Sequence, residues 1–365
     1  MCIEPTLQVS FPPAPGKSYP LYFQPLHTLP QLLQQHHLSP GNCIVITDTH
    51  VAQHYLPSLT HLLEAHGWHP HAVVLPPGES TKSLKYLEHI YNEVLPLGIH
   101  RQTPVLALGG GVVGDLAGFA AATLLRGLPF VQIPTSLMAQ VDSAIGGKTG
   151  INHPTGKNLI GHFHQPVFVL TDTSVLQTLP QREWYSGLAE VIKSALIKDA
   201  TFFDYLEANW PAILNRHPEH ISFIVQQTAA IKTDIVSQDE KENHIRALLN
   251  FGHTFGHALE SITHYRYFTH GEAVILGMRA ATFLSGKKHP ELPTSRIDSL
   301  LTAFPLPHFP ETATFNAWIK AMQSDKKRQA AGLRFVLLQA IGKAYISSGL
   351  PEKWLQQAWN FMRTY

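Results

Sequence analysis

Short apolar runs that alternate with helical segments are the feature of this sequence that most limits its fold. Between the second and third runs, apolar residues from Leu84 to Leu95 follow the spacing of an amphipathic helix. Continuous apolar strands joined by helices are typical of a parallel sheet that is covered on both faces. The sequence therefore predicts an α/β N-terminal domain with a parallel sheet. The runs are CIVIT (43–47), HAVVLP (71–76), PVLAL (104–108), PFVQIP (129–134) and PVFVLTD (166–172).

The second half of the chain has a different pattern, which begins after Leu179-Pro180. There, RFVLLQAIGKAYI (334–346) reads as a β-hairpin, and helical apolar spacing dominates elsewhere. We therefore predict two domains, an α/β domain over residues 1–180 and a mainly helical domain over residues 181–365. The predicted helical segments are 182–199, 201–213, 218–237, 245–263 and 271–286.

The composition excludes several classes of protein. With 27 Lys and Arg against 26 Asp and Glu, the formal net charge is +1, which favours neither a nucleic-acid nor a membrane partner. Cys2 and Cys43 are too few for a disulfide framework or a four-cysteine zinc site, so a reduced, cytoplasmic location is expected. The N-terminus lacks the pattern of a signal peptide, and no apolar run reaches the roughly 18 residues of a membrane span.

A glycine-rich turn follows the third apolar run. Gly109, Gly111 and Gly114 satisfy G-x-G-x-x-G between a predicted strand and a predicted helix. Glycines let the backbone approach a diphosphate at a helix N-terminus, so the turn predicts a Rossmann-like dinucleotide site. The alternative is a tight turn without a ligand. Because the usual acidic residue about 20 positions further on is absent, ribose and adenine would be bound at other strand ends, namely Asp48 and residues 77–82.

The segment Gly146–Asn152 contains G-K-T but is not a P-loop. The pattern G-x-x-x-x-G-K-[ST] needs a glycine where Asp142 stands. Lys148 and Lys157 lie in this Gly-rich loop with Asn158, a combination that suits a phosphorylated or polyhydroxylated substrate. A solvated basic loop is the alternative interpretation.

Two members of a set of three histidines, His253 and His270, form a candidate metal site together with one glutamate. His253 and His257 are four residues apart, so a helix places them on one face, and His270 follows. Thr254 stands where H-E-x-x-H requires Glu, which excludes that zinc motif. Glu190, inside an apolar helix start, could complete a three-ligand catalytic metal site. The alternatives are a Glu on a solvated face and a chance histidine pair in a chain with 23 histidines.

Together these segments resemble the 3-dehydroquinate synthases of the shikimate pathway. A weaker match lies at SDKKRQAAGLRFVLLQAIGKA (324–344), and Ser136 stands where many relatives have Thr. The family has two domains with the active site in the cleft between them, in agreement with the predicted division. The segments that carry the resemblance are GGGVVGDLAGFAAATLLRG (109–127), IPTSLMAQVDSAIGGKTGINHPTGKNLIGHFHQP (133–166), SGLAEVIKSALIKD (186–199), LLNFGHTFGHALE (248–260) and HGEAVILGM (270–278).

The resemblance implies that Glu190, His253 and His270 hold a divalent metal, zinc or cobalt. It also implies a homodimer in which Arg126 reaches the site of the neighbouring subunit. The implied cofactor is NAD, bound by Gly78, Glu79, Ser80, Thr81, Lys82, Gly111, Val112, Val113, Gly114, Asp115, Thr135, Ser136, Lys148, Lys157, Val175, Leu176, Gln177 and Thr178. The implied substrate-site residues are Asp142, Lys148, Asn158, Lys193, Lys232, Arg246, Asn250, His257 and one of Lys326 and Lys327.

The implied reaction converts 3-deoxy-D-arabino-heptulosonate 7-phosphate to 3-dehydroquinate and phosphate. It proceeds through transient oxidation by NAD, phosphate elimination, re-reduction and an intramolecular aldol closure. In this scheme Arg246 and Asn250 hold the substrate carboxylate, Arg246 bidentately, lysines gather the anionic charges, and His257 transfers a proton.

Three alternatives to this reaction are distinguishable. Another sugar-phosphate cyclase, such as a deoxy-inosose or valiolone synthase, would use a substrate without the carboxylate. A metal-dependent polyol dehydrogenase would release NADH. A non-catalytic NAD-binding or scaffold protein would need the metal-ligand set to be accidental.

Overall fold

The computed structural model describes residues 2–11, 17–242, 244–326 and 333–365, and for residues 324–326 it describes the backbone only. The chain folds as two units. Unit 1 comprises the residues up to Leu179 together with Ile221–Glu240, and unit 2 comprises Pro180–His220 together with Lys241–Tyr365. The sequence pattern predicts a single division near residue 180, whereas in the structure residues 221–240 also belong to unit 1.

Unit 1 is built around a parallel sheet, as predicted. Its strands are β1 (Leu7–Val9), β2 (Tyr19–Phe23), β3 (Asn42–Asp48), β4 (His69–Leu75), β5 (Val105–Gly109), β6 (Phe130–Pro134), β7 (Lys148–His153), β8 (Gly156–Phe163) and β9 (Phe168–Thr171). Seven of them form one sheet in the order β1-β2-β9-β6-β5-β3-β4. Neighbours in this sheet are parallel, except that β1 runs antiparallel to β2. The α/β fold with a parallel sheet is confirmed.

Helices cover both faces of this sheet. They are α1 (Leu29–Gln35), α2 (Thr49–Ala65), α3 (Leu84–Val94) and α4 (Gly111–Thr123). Successive residues of a strand point to opposite faces: Ile44 of β3 packs with residues of α3 and α4, whereas Val45 packs with residues of α1 and α2. Because both faces are buried, the strands need continuous apolar runs rather than alternating ones.

Strands β7 and β8 form a separate antiparallel hairpin. The glycine content of this segment predicts a loop, and that prediction is wrong, because the residues pair as two strands. Gly150 and Gly161 lie opposite each other in the hairpin. A Cβ atom on Gly150 would lie 2.6 Å from the backbone oxygen of Ile160. The glycines therefore permit a close approach of two strands. A glycine-rich segment can serve this purpose or form a loop, and composition alone does not distinguish the two.

Unit 2 is mainly helical, as predicted. The helices of this half of the chain are α5 (Gln181–Lys198), α6 (Ala200–Leu214), α7 (Pro218–Gln238), α8 (His253–Ile262), α9 (His270–Lys288), α10 (Thr294–Leu301), α11 (Phe315–Lys326) and α12 (Glu352–Met362). The predicted hairpin is formed by β10 (Arg334–Ala340) and β11 (Lys343–Ser348). Among the described residues, none of the helices is both long and apolar enough to cross a lipid bilayer.

The helix predicted over residues 245–263 is interrupted. Residues Ile245–Asn250 form a 3-10 helix, and α8 starts only at His253. Between them, Gly252 has a φ of 79°, in the left-handed region that glycine adopts without strain. The chain therefore changes direction immediately before the first candidate metal ligand of this segment.

Helix α7 belongs to unit 1 from Ile221 onward and completes its core. Ala229 and Val236 lie in one buried cluster with Val9, Tyr19 and Val169. Part of the unit 1 core therefore comes from a segment that follows a stretch of unit 2 in the sequence.

Candidate active site

Glu190 lies on α5, in a stretch in which nearly every residue is buried. The residue is 1% exposed, which excludes the solvated helix face that was the alternative interpretation. Its Oε2 atom accepts a hydrogen bond from the ammonium group of Lys193, one turn further along the helix. Its Oε1 atom is buried and has no hydrogen-bond partner among the described residues. A buried carboxylate oxygen without a donor is costly, so it indicates that a cation belongs here.

Two histidines approach this carboxylate oxygen. The Nε2 atom of His253 lies 3.5 Å from Glu190 Oε1, and the Nε2 atom of His270 lies 3.8 Å from it. The ligand nitrogens of His253, His257 and His270 also lie within 4.8 Å of one another. Imidazole nitrogens and a carboxylate oxygen are ligands that suit Zn²⁺. We call Glu190, Lys193, His253, His257 and His270 the Glu190 cluster.

Two sets of three ligands are possible in this cluster, and they share His253 and His270. Glu190 is the better third ligand, because its buried Oε1 atom lies close to the Nε2 atoms of both histidines and accepts no hydrogen bond. His257 is exposed, and its ring lies 5.2 Å from that of His253 and 5.7 Å from that of His270. The donor set therefore fits a divalent metal held by one carboxylate and two imidazoles, with His257 beside it.

The surroundings of His253 keep it in the form that binds metals. Its Nδ1 atom lies 3.2 Å from the carbonyl oxygen of Phe251, which can only accept a hydrogen bond. The hydrogen is therefore on Nδ1, and Nε2 keeps its lone pair. Burial, reinforced by the charges of Lys193, His270 and His257, lowers the pKa of His253 well below its usual value.

Close helix packing fixes the elements that carry this cluster. A Cβ atom on Gly271 of α9 would overlap the backbone of Ser186 on α5. The Gly271 N–H also donates to the hydroxyl oxygen of Ser186 at 3.0 Å. Similarly, a Cβ atom on Gly277 of α9 would overlap the carbonyl oxygen of Gly252, next to α8. Backbone contact at these glycines thus holds α5, the start of α8 and α9 together near the candidate ligands.

The first turn of α9, which begins with His270, is also fixed by side chains. The hydroxyl of Thr269 accepts from the Glu272 N–H, and the Glu272 carboxylate accepts from the Thr269 N–H, which makes a capping box. Arg182 of α5 donates to both Glu272 oxygens, at 2.7 Å and 2.8 Å. His270 therefore occupies a helix start that two independent contacts stabilise.

Glu260 faces His270 from the last turns of α8. It is 3% exposed, and its Oε2 atom lies 3.3 Å from the Nδ1 atom of His270. Glu260 is not among the residues expected from the sequence to form the site. The signal that could have found it is its spacing, because His253, His257 and Glu260 stand at i, i+4 and i+7 on one helix face.

Arg246 and Asn250, the expected carboxylate-binding residues, lie on the 3-10 helix that precedes Gly252. Arg246 is 3% exposed. Asn250 donates from Nδ2 to the Oε1 atom of Glu242 at 2.6 Å. A buried guanidinium group suits bidentate binding of a carboxylate. Asn250 stands three residues before His253 in the sequence and Arg246 seven residues before it, and both lie inside unit 2.

In unit 1, the glycine-rich turn connects β5 to α4, as predicted. Helix α4 begins at Gly111, and its N-cap, Gly110, has no side chain that could cap the first turn. The Thr135 N–H donates to the Gly109 carbonyl at 3.0 Å, and a Cβ atom on Gly110 would lie 3.3 Å from the hydroxyl oxygen of Ser136. The turn and Thr135-Ser136 therefore meet at the carboxyl edge of the sheet, where ligands of open α/β sheets bind.

Lys82, in the segment after β4, forms hydrogen bonds with α4 and with the hairpin strand β8. Its Nζ atom donates to Asp115 Oδ2 at 2.7 Å and to Asn158 Oδ1 at 2.6 Å, and the residue is 4% exposed. Burial opposes the positive charge, but the carboxylates of Asp115 and Glu79 outweigh it and raise the pKa of Lys82. Three residues that were expected to bind cofactor or substrate thus bind one another. We call Lys82, Asp115 and Asn158 the Lys82 cluster.

Asp142 and Lys232 form a second pair in unit 1. Asp142 lies in a π-helical turn, Ala139–Ser143, and such turns often occur at functional sites. Lys232 of α7 is 6% exposed and donates from Nζ to Asp142 Oδ1 at 2.5 Å. Residues 221–240 thus bring one expected substrate-site residue to another.

The other expected cofactor residues lie at strand ends or in the turns that follow them. Asp48 ends β3 and caps α2, since its Oδ1 atom accepts from the N–H groups of His50 and Val51. Thr178 Oγ1 lies 2.5 Å from the hydroxyl of Tyr55. Short 3-10 helices carry Glu79–Thr81, next to Gly78, and Thr173–Thr178, which includes Val175, Leu176 and Gln177.

The remaining expected residues are distributed over the glycine turn, the hairpin and α11. Val112, Val113 and Gly114 form the first turn of α4. Lys148 is exposed on β7, and Lys157 lies on β8. Of the two alternatives Lys326 and Lys327, Lys327 lies outside the described residues, and only the backbone of Lys326 is described, at the end of α11.

Comparison with known families gives two matches that follow each other along the chain. The family model of the 3-dehydroquinate synthase N-terminal region matches residues 72–186. That of the 3-dehydroquinate synthase C-terminal region matches residues 187–328. Together they span more than half of the 365 residues.

Individual relatives agree with these matches. The 3-dehydroquinate synthase of Salinibacter ruber is 51% identical over 347 residues, which cover 94% of this chain and 95% of that protein. Among solved structures, a 2-epi-5-epi-valiolone synthase from Streptomyces hygroscopicus with NAD+ and Zn²⁺ bound has a TM-score of 0.87 at 27% identity, over 99% of both chains. A 2-deoxy-scyllo-inosose synthase, complexed with carbaglucose-6-phosphate, NAD+ and Co²⁺, has a TM-score of 0.84 at 24% identity, over 98% of this chain and 99% of that one, and shares the fold. The two family matches and the relative at 51% identity place the chain in the 3-dehydroquinate synthase family.

Proposed function

We propose that this chain catalyses the reaction for which its family is named, the conversion of 3-deoxy-D-arabino-heptulosonate 7-phosphate to 3-dehydroquinate and inorganic phosphate. It is a carbon–oxygen lyase that depends on NAD and on a divalent metal ion, zinc or cobalt. Family membership supports the reaction. The single observation that supports the metal is the buried Oε1 atom of Glu190, which faces two imidazole nitrogens and accepts no hydrogen bond among the described residues.

Glu190, His253 and His270 are the residues that hold the metal in this proposal. The Nε2 atoms of both histidines already point at the carboxylate, so little rearrangement of these side chains is needed. The valiolone synthase of the same fold contains Zn²⁺ and NAD+. When bound, the metal polarises an alcohol or carbonyl oxygen of the substrate, and NAD provides a reversible hydride acceptor.

The glycine turn of unit 1 is the proposed binding site for the diphosphate of NAD. The N-terminus of α4 has no side-chain cap, so its partial positive charge is suited to an anion. Thr135 and Ser136 border this turn at the end of β6. Lys82 donates a hydrogen bond to Asp115 in the first turns of α4 and so fixes the orientation of its carboxylate.

The substrate is bound by cations and amides in this proposal. Arg246 and Asn250 hold the carboxylate, and the guanidinium of Arg246 is buried, which strengthens the ion pair. Lys193 provides an ammonium group next to the metal ligands, and Lys148 provides one on β7 for the phosphate. His257 is exposed beside His253 and His270, so its imidazole can take up and return the proton that phosphate elimination requires.

The decisive experiment measures phosphate release from the heptulosonate phosphate by the purified protein. We expect release that depends on both NAD and metal, that stops after treatment with a chelator, and that produces no net absorbance of NADH. Net NADH formation would instead identify a polyol dehydrogenase. Release of phosphate only from glucose 6-phosphate or sedoheptulose 7-phosphate would identify another sugar-phosphate cyclase and overturn the proposed substrate.

The expected homodimer and cytoplasmic location are also proposals, supported by the family resemblance. Arg126 is exposed and has a φ of 68°, and Leu125 before it has a φ of 48°. Two successive non-glycine residues in the left-handed region are rare and indicate a constrained turn. If Arg126 acts in the neighbouring subunit's site, a mixture of inactive Arg126→Ala and inactive His270→Ala subunits regains activity on co-refolding. A mixture that stays inactive, although light scattering shows dimers, contradicts this role.

A further inference from the structure

We infer that Glu260 is a positioning residue for the metal ligand His270. The carboxylate of Glu260 accepts the hydrogen on Nδ1 of His270 and so directs the Nε2 lone pair towards Glu190. The inference rests on the metal centre proposed above and concerns a residue outside the ligand set.

The geometry of the contact is that of a carboxylate–histidine–metal arrangement. Glu260 Oε2 lies 3.3 Å from His270 Nδ1, on one edge of the imidazole ring. On the other edge, His270 Nε2 lies 3.8 Å from Glu190 Oε1. Histidines that ligate metals generally donate the hydrogen of their second nitrogen to a carboxylate or carbonyl group, which fixes both the tautomer and the ring orientation.

The contact determines which nitrogen of His270 can bind a cation. An ionised carboxylate can only accept a hydrogen bond, so a neutral His270 in contact with Glu260 carries its hydrogen on Nδ1. Nε2 then has a lone pair and faces the metal site. His253 is arranged in the same way, since the carbonyl of Phe251 accepts from its Nδ1 atom. Each histidine ligand thus has its own acceptor, a backbone carbonyl for one and a carboxylate for the other.

The position of Glu260 differs from that of the other buried glutamate near His270. Glu272 is 5% exposed, and its carboxylate binds Arg182 and the N–H of Thr269, so it stabilises the start of α9. Glu260 is 3% exposed and contacts the imidazole of a ligand. The contacts of Glu272 therefore stabilise a helix start, whereas the contact of Glu260 involves a proposed metal ligand.

The test measures zinc affinity rather than activity. Apo protein is titrated with Zn²⁺ in competition with a chromogenic chelator. We expect a zinc Kd that rises about 10–100-fold in Glu260→Ala, the range typical of lost outer-shell partners. Glu260→Gln keeps an oxygen that can accept the Nδ1 hydrogen, so its Kd should rise less than that of Glu260→Ala. Asp298→Asn is the matched control, because it removes a carboxylate bound to Arg279 in the same unit. We expect it to lower stability and leave the zinc Kd unchanged.

A double-mutant cycle separates positioning from a general structural effect. If Glu260 acts through His270, the effect of Glu260→Ala on the zinc Kd disappears in a His270→Ala background. An equal rise in both backgrounds, or a Kd of Glu260→Ala within about twofold of wild type, overturns the inference. A wild-type protein that binds no Zn²⁺ would instead overturn the metal centre itself. Should the variants not fold, a crystal structure of zinc-loaded wild type decides, since Glu260 and His270 Nδ1 must be within hydrogen-bond distance.

Discussion

The Glu190 cluster of unit 2 and the Lys82 cluster of unit 1 each pair a buried lysine with a carboxylate, but they differ in whether the polar atoms around that pair all have hydrogen-bond partners. In the Lys82 cluster, the ammonium group donates to the carboxylate of Asp115 and the amide oxygen of Asn158. In the Glu190 cluster, one carboxylate oxygen binds Lys193, while the other faces two imidazoles without accepting a hydrogen bond among the described residues.

The two clusters also differ in how they are held. Backbone contacts at glycine, such as Gly271 against Ser186, position the elements of the Glu190 cluster. Side-chain hydrogen bonds connect the segments of the Lys82 cluster. Buried polar groups are nearly always paired, so an unpaired one is the more specific indication of a ligand. Charge and burial alone therefore do not identify a binding site, whereas a buried polar atom that lacks a hydrogen-bond partner and lies between tightly packed helices does.

The largest effect is expected on removing a proposed metal ligand from the Glu190 cluster. In His270→Ala, zinc affinity should fall by more than the roughly hundredfold that marks loss of an outer partner. Zn²⁺ at about 100 times Kd should add about 2.7 kcal/mol to the free energy of unfolding of wild type, and much less to the variant. Calorimetric titration and denaturant unfolding measure both. His217→Ala, with a side chain that is 54% exposed, is the control. If His270→Ala binds zinc as tightly as wild type, the proposal that the Glu190 cluster, unlike the Lys82 cluster, holds a metal is wrong.

The next largest effect is expected from Gly271→Ala, which tests the rigid setting. The added methyl group overlaps the backbone of Ser186, so α5 and α9 must move apart. We expect a loss of about 3 kcal/mol in the free energy of unfolding, with weaker zinc binding. Gly286→Ala on the same helix is the control, because its methyl group meets the side chain of Thr294, which can rotate. Its stability should change by less than about 1 kcal/mol. Equal effects at both glycines would contradict the proposed role of the backbone contact.

A smaller effect is expected from Lys82→Met, which leaves the Asp115 carboxylate without its ammonium partner. The side chain of Asp115 is 20% exposed, so we expect a loss of about 2 kcal/mol, below that of a fully buried pair. Urea unfolding without NAD measures it. The double variant Lys82→Met/Asp115→Asn should recover more than half of the loss, because no unpaired charge remains. If it recovers nothing, the cluster does not owe its stability to internal pairing.

The smallest effect concerns His164, a histidine of unit 1 outside both clusters. Burial lowers its pKa below the usual 6.5, while its contact with the Leu128 carbonyl opposes the shift. The folded state therefore resists protonation, so stability is complete above about pH 6.5 and decreases as the pH falls below it. We expect His164→Gln to reduce this dependence by less than about 1 kcal/mol between pH 7 and pH 5, measured by urea unfolding. An unchanged pH dependence would contradict this. A lowered histidine pKa is thus no marker of a metal site by itself.

Much of the fold could be predicted from periodicity. Strands buried on both faces leave continuous apolar runs, and these located β3 to β6 and β9. The hairpin of β7 and β8 was missed because its glycines, which permit close strand approach, have the composition of a loop. The interruption before His253 was missed because apolar spacing continues across Phe251 and Gly252.

The candidate site was less accessible to sequence reasoning. Residue types and family resemblance suggested Glu190, His253 and His270, but their convergence depends on the packing of three helices. The pairing of Lys82 with Asp115 depends on strand order, since β3 lies between β4 and β5 in the sheet. Glu260 was overlooked because its partner, His270, lies on the next helix.

The order in which the chain visits its two units has a consequence for folding during synthesis. A ribosome completes the first 179 residues of unit 1 before it makes the segment Ile221–Glu240. Until then, the cluster around Val9, Tyr19 and Val169 lacks Ala229 and Val236. A fragment that ends near residue 180 should therefore expose apolar surface and aggregate. A version of unit 1 that folds by itself must include residues 221–240, supplied through a linker or as a separate peptide.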